Sequence, residues 1–170
     1  MIVMKIKLTP ELCYMAGLFS KSPHKSKNFV SISTTKEELK ERFVEIAIKN
    51  LMVEPIKIIV GSDEDKSIGF YHSRIAKQLQ NVVSRETFIF KKINNFSKSY
   101  VAGMFDISGH IRLGNIEISH IKLDDAFMLE NLGVHTKGDA VLNTQKFIDL
   151  IRDSSIIIKY LNKQMHSPNR

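Results

Sequence analysis

The chain has 170 residues, 43% of them hydrophobic, and a formal net charge of +7. This is enough for one compact domain or two small equivalent halves, and the positive excess points to a polyanionic partner, most simply a nucleic acid. No apolar run is long enough to cross a membrane, and the single cysteine, Cys13, excludes an internal disulfide or a zinc finger.

In chain order, Met1 to Lys7 alternates and carries charge, without the layout of a signal peptide. Thr9-Pro10-Glu11 reads as a helix start, continued by Leu12 to Phe19 and broken at Ser22-Pro23. Cys13 on this helix reads as a small buried hydrophobe of a reducing, cytoplasmic setting. Phe29 to Ser33 alternates with period two, as a strand does. Thr35 to Glu38 opens a second helix with Leu39, Phe43, Ile46 and Ala47 on one face. Ile56–Val60 and Ser67–Tyr71, joined by an acidic turn at 61–65, read as a hairpin, and Ser73 as the cap of a third helix.

The segment from Val83 to Phe96 lacks linker composition and argues for packed halves. Asn95 or Ser97 starts the next helix, which runs to about Phe105 and breaks at Ser108-Gly109. His110–Leu113, a Gly114-Asn115 turn and Ile116–Ser119 read as a hairpin. Lys122 to Leu132 is a helix that Gly133 ends in a left-handed stop, a position that Met52 fills without glycine in the first half. A shortened hairpin at 134–142, a helix capped by Thr144, a helical tail from Ile156 to Met165 and a frayed end at 167–170 complete the chain.

One nine-residue phrase occurs twice, 86 residues apart: Tyr14-Met15-Ala16-Gly17-Leu18-Phe19-Ser20-Lys21-Ser22 and Tyr100-Val101-Ala102-Gly103-Met104-Phe105-Asp106-Ile107-Ser108. Tyr, Ala, Gly, Phe and the final Ser are shared, and similar elements follow each copy. With this order of elements the sequence resembles the LAGLIDADG homing endonucleases in their single-chain, two-motif form, over about Thr9 to Ser154.

The resemblance implies an α+β fold of two pseudo-symmetric αββαββα halves, 1–86 and 87–170, in one compact, monomeric domain. The motif helices would pack at the centre through Ala16, Gly17, Ala102 and Gly103, because small side chains let helices approach below the usual axis separation of roughly 8–10 Å. Antiparallel sheets would form a saddle over a DNA major groove. Val30, Ile32, Ile58 and Val60 would face inward. The expected nucleic-acid contacts are Lys21, His24, Lys25, Lys27, Ser31, Ser33, Lys57, His110, Arg112, Glu117 and Lys137, basic groups to phosphate and polar groups to base edges.

In active members of that family an acid ends each motif helix and holds a divalent metal. Both matching positions here are serine, Ser22 and Ser108. A neutral hydroxyl does not replace a carboxylate as a Mg²⁺ ligand. Asp106 and Glu117 are the weak substitutes: Asp106 points elsewhere on its helix and suits a local hydrogen-bonding role, and Glu117 lacks a counterpart in the first half. No metal or other cofactor is therefore expected. The expectation is sequence-specific binding of double-stranded DNA with nuclease activity lost. Its alternatives are a divergent Mg²⁺-dependent endonuclease and an RNA-binding, maturase-like protein.

Overall fold

The computed structural model describes residues 7–22, 26–62 and 64–165; the expected contacts His24 and Lys25, and the chain ends at 1–6 and 166–170, lie outside them. Helix α1 (Pro10–Ser20) starts where Thr9 Oγ1 accepts from Leu12 N at 3.1 Å, with Pro10 in the first turn, where a missing N–H costs nothing. Every residue from Leu12 to Ser20 is buried, so α1 is a central helix with no solvent face. Helix α5 (Asn95–Ser108) is its counterpart. A reciprocal capping box closes it one residue earlier than expected, with Asn94 Oδ1 accepting from Ser97 N and Ser97 Oγ accepting from Asn94 N.

The packing of α1 against α5 is the most extensive contact between elements. Glycine decides it. A Cβ on Gly17 would strike Tyr100 O and lie 2.8 Å from Met104 N, while one on Gly103 would strike Tyr14 O and lie 3.1 Å from Leu18 N. The two backbones thus touch reciprocally, and Ala16 and Ala102 are fully buried beside them. This is the role expected of the Ala-Gly pairs.

Around this pair lie α2 (Glu37–Lys49), which buries Leu39, Phe43, Ile46 and Ala47 as its periodicity predicts, then α3 (Ser73–Ser84), α4 (Glu86–Ile89), α6 (Leu123–Asn131), α7 (Thr144–Ile151) and α8 (Ile156–Met165). Two cap expectations change. His72, not Ser73, caps α3, its Nδ1 accepting from Ile75 N at 3.3 Å. Asn143 precedes α7 and spends its side chain on His135 N and Gly133 O.

Strands β1 (Phe29–Ser33), β2 (Ile58–Val60) and β3 (Ser67–Tyr71) form an antiparallel sheet in the order β1-β3-β2. Strands β4 (Gly109–Arg112), β5 (Asn115–Ile118), β6 (Thr136–Lys137) and β7 (Ala140–Val141) form a second in the order β4-β5-β7-β6. Among the described residues the first half therefore carries three strands, one fewer than the repeated two-hairpin plan. The β4–β5 turn sits on Leu113 and Gly114, both at positive φ, which moves Asn115 into the strand opposite Arg112. Met52 and Gly133 do share the left-handed stop, at φ 57° and 76°. Buried side chains from both halves make one continuous core, with Phe43 against Phe70 and Phe105 edge-on to Phe147.

Candidate nucleic-acid interface

Strand register sorts the sheet residues by face. In the second sheet Ile116, Ile118 and Val141 are buried under the helices, while His110 stands opposite Glu117, Glu117 opposite Ala140, and Ala140 opposite Lys137. Arg112 stands opposite Asn115. His110, Arg112, Asn115, Glu117 and Lys137 are all exposed, so one face carries a compact set of donors and acceptors of both signs. Four of these five belong to the expected contacts, and the shifted turn adds Asn115.

The first sheet differs. Val30, Ile32 and Phe70 pack into the core, and Ile58 is half-buried. Val60 stands opposite buried Ile68 on that same face, as expected, but on the edge strand it is 67% exposed and lines an open cavity against α2. Ser33 is exposed, as a contact residue must be, but Ser31 is only 2% exposed. A Cβ on neighbouring Gly69 would lie 2.7 Å from Phe29 Cζ and 2.8 Å from Ser31 Cβ, so the Phe29 ring lies across this part of the sheet. Lys57 precedes the strand in a 3-10 turn, where it pairs with Glu54 at 3.4 Å.

Of the basic cluster after α1, Lys27 is exposed, but Lys21 turns inward. Its Nζ donates to Asp125 Oδ2 at 2.6 Å and to the His120 carbonyl at 2.9 Å, with side-chain exposures of 6% and 5% for Lys21 and Asp125. A lysine held and buried this way ties the start of α6 to the end of α1 and is not presented to phosphate. Its expected role as a contact is corrected accordingly.

At the motif ends, Ser22 is buried in the turn after α1, and Ser108 Oγ donates back to the Met104 carbonyl at 2.7 Å. Asp106, fully buried, faces the other way. It accepts from Tyr14 Oη of α1 at 2.6 Å, from Ile156 N at 2.8 Å, and from Ser155 Oγ and Ile157 N. Its carboxylate thus sits on the N-terminus of α8, where backbone N–H groups favour negative charge. Burial raises its pKa, and those hydrogen bonds oppose the rise. Asp106 thus clasps the motif helices to α8, with both carboxylate oxygens committed to these donors.

Tyr100, the repeat partner of Tyr14, meets an acid as well. Its hydroxyl donates to Glu86 of α4, and Ser20, in the position that matches Asp106, is a weaker neighbour. The Asp125 carboxylate is a near neighbour of Glu86. Burial pushes the Glu86 carboxyl up to about 8; the Tyr100 hydroxyl opposes this and Asp125 adds to it. Glu86 is thus held toward its protonated form between Tyr100 and the Lys21–Asp125 pair. Sequence reasoning missed Glu86, Asp125 and Ser155. The shared tyrosine was the available signal, because a buried hydroxyl demands a partner.

The conditions for a carboxylate-held divalent cation are not met at the motif ends: both side chains are hydroxyls, and no group of three or more His, Cys, Asp or Glu gathers as a metal site among the described residues. No helix among them is long and apolar enough to cross a membrane.

Two glycine-packed central helices flanked by two antiparallel sheets make the fold of a LAGLIDADG homing endonuclease. Solved structures of the homing endonuclease I-DmoI are similar to it. Its complex with DNA and Ca has a TM-score of 0.69 and 15% identity, covering 93% of this chain and 100% of that one. Its complex with DNA and Mn gives 0.67 and 16%, over 88% and 100%. A structure from work on its mesophilic variants gives 0.66 and 17%, over 85% and 96%. Neither a family model nor a curated relative matches the sequence. At these identities the likeness establishes the fold.

Proposed function

We propose that this chain binds nucleic acid through its sheet faces, reading double-stranded DNA by sequence, and that it has lost the nuclease activity associated with its fold. One observation carries the binding: His110, Arg112, Asn115, Glu117 and Lys137 share one exposed sheet face. A β-ribbon fits the major groove, where Arg reads guanine, Asn reads adenine and Glu accepts from cytosine. Lys137 and Lys27 supply phosphate contacts, consistent with the overall charge of +7. I-DmoI, whose fold this chain shares, is described bound to DNA with Mn or Ca. The residues 1–86 and 87–170 act as two halves of one monomeric binding unit.

The loss of cleavage rests on Ser22 and Ser108. Without the two negative charges, the centre of the docking surface repels phosphate less, so binding survives the loss of chemistry. The test is selection of duplexes from a random library, followed by incubation of the bound sequence with Mg²⁺ or Mn²⁺. A selected consensus that is bound and left intact is the expected result. Arg112→Ala should relax one base position at a cost of about 1–3 kcal/mol, and Lys137→Ala should weaken all sequences and lower the salt slope by about 1. Metal-dependent cutting that disappears in Glu117→Gln would replace this proposal with an active endonuclease. Failure to bind any duplex or structured RNA at low salt would remove nucleic-acid binding altogether.

A further inference from the structure

The two sheets expose unlike chemistry. Where the second presents hydrogen-bonding side chains, the first presents rings. Phe29 and Tyr71 are register partners at one end of β1 and β3, with centroids 4.6 Å apart and planes inclined at 42°. Both stand on the face opposite the core, because their neighbours Val30 and Phe70 are fully buried. Phe29 is braced across Gly69, where a Cβ would lie 2.7 Å from its ring. Tyr71 is 61% exposed, and Ile59, which pairs with Gly69 on the same face, is 45% exposed.

The two strands that carry the rings run through acid-free stretches of the chain. No aspartate or glutamate occurs between Glu11 and Glu37 or between Asp65 and Glu86, the two stretches that supply these strands. The ladder continues past the rings, with His72 N donating to Asn28 O at 2.8 Å, and Lys27 and Arg74, both exposed, lie two and three residues along the chain from Phe29 and Tyr71; Lys27 also lines a cavity shared with Glu86, Asp124 and Asp125.

A broad ring on a flat sheet is poorly suited to a duplex. Paired bases show only their edges in the grooves, and their faces are covered by stacking. An unpaired strand shows its faces, and every base has one to stack on an aromatic ring beside a basic track for phosphate. From this juxtaposition we infer that the first sheet binds an unpaired stretch of DNA or RNA, with a base stacked on Tyr71, Phe29 bracing that ring, and Lys27 and Arg74 on the backbone. The ligand is then a duplex that continues into single strand, each part on its own sheet. This rests on the nucleic-acid reading above and adds the strandedness of the ligand.

The experiment measures affinity of the full chain, by fluorescence anisotropy at about 50 mM salt, for oligothymidine and oligouridine of about 20 nucleotides and for a random duplex of equal length. Tyr71 is mostly exposed, so its truncation removes little packing. Tyr71→Ala should weaken the unpaired probes about tenfold, in line with the loss of one stacked base, and the duplex less than about twofold. Tyr71→Phe should restore binding, since stacking needs the ring and not the hydroxyl. Oligothymidine bound as well as oligouridine means the site takes either strand; preference for one names it. If the duplex binds and the unpaired probes do not, or if Tyr71→Ala weakens both equally or neither, this inference is wrong and the duplex reading stands. If no probe binds, both fall.

Discussion

Asp106→Asn tests whether the one acid left in the second motif is a clasp or a catalyst. In the native chain one oxygen accepts from Tyr14 Oη at 2.6 Å and Ile156 N at 2.8 Å, the other from Ser155 Oγ and Ile157 N. An asparagine keeps one acceptor oxygen and turns an NH₂ toward donors on the other side. At least one buried donor is then orphaned, at about 1–3 kcal/mol, and the charge that faces the α8 N-terminus is lost, at up to about 2 kcal/mol. The total is about 3 kcal/mol. For a chain of this size each kcal/mol moves the midpoint by roughly 2–4 °C, so thermal unfolding should fall by about 6–12 °C. DNA affinity measured well below that midpoint should change less than about twofold, because Asp106 is buried away from the sheet faces. Circular dichroism melts with binding isotherms at a fixed low temperature make the measurement. A midpoint within about 2 °C of wild type, or a selective loss of metal-dependent cutting with stability intact, would refute the clasp.

Gly17→Ala should cost at least about 2 kcal/mol in chemical denaturation, since its Cβ meets backbone that cannot rotate aside; a neutral effect would mean the helix pair is looser than its glycines imply. Lys21→Ala should destabilise by about 3–5 kcal/mol by leaving Asp125 buried without its cation, a loss visible in urea titration and absent if Lys21 serves phosphate instead. Because Glu86 holds its proton up to about pH 8 when folded and releases it near pH 4.3 when unfolded, the folded state binds more protons in that window. Stability should therefore decline as pH rises from about 5 to 8, by at most about 4 kcal/mol. Glu86→Gln, which keeps an acceptor for Tyr100, should flatten the slope; an unchanged slope would assign the proton elsewhere.

The sequence by itself determined the helix pair and the order of elements. Ala-Gly at the same place in two copies of one phrase permits close backbone approach, and the alternation in β1 and β5 and the 3.6-residue spacing in α2 are local signals that tertiary contacts reinforced. It also determined what stands at the motif ends, because Ser22 and Ser108 are identities that no packing alters. Lys21 and Ser31 went differently because exposure is not a property of a residue's neighbours in sequence. A lysine after a helix reads as solvated until Asp125, more than a hundred residues later, is brought to it. The partners of Asp106 lie 92, 49 and 50 positions away, at Tyr14, Ser155 and Ile156, so only the closed fold could turn a motif acid into a helix cap. The unlike sheet faces have the same origin: strand pairing set Phe29 beside Tyr71 and His110 beside Glu117, and no periodicity within either strand contains that choice.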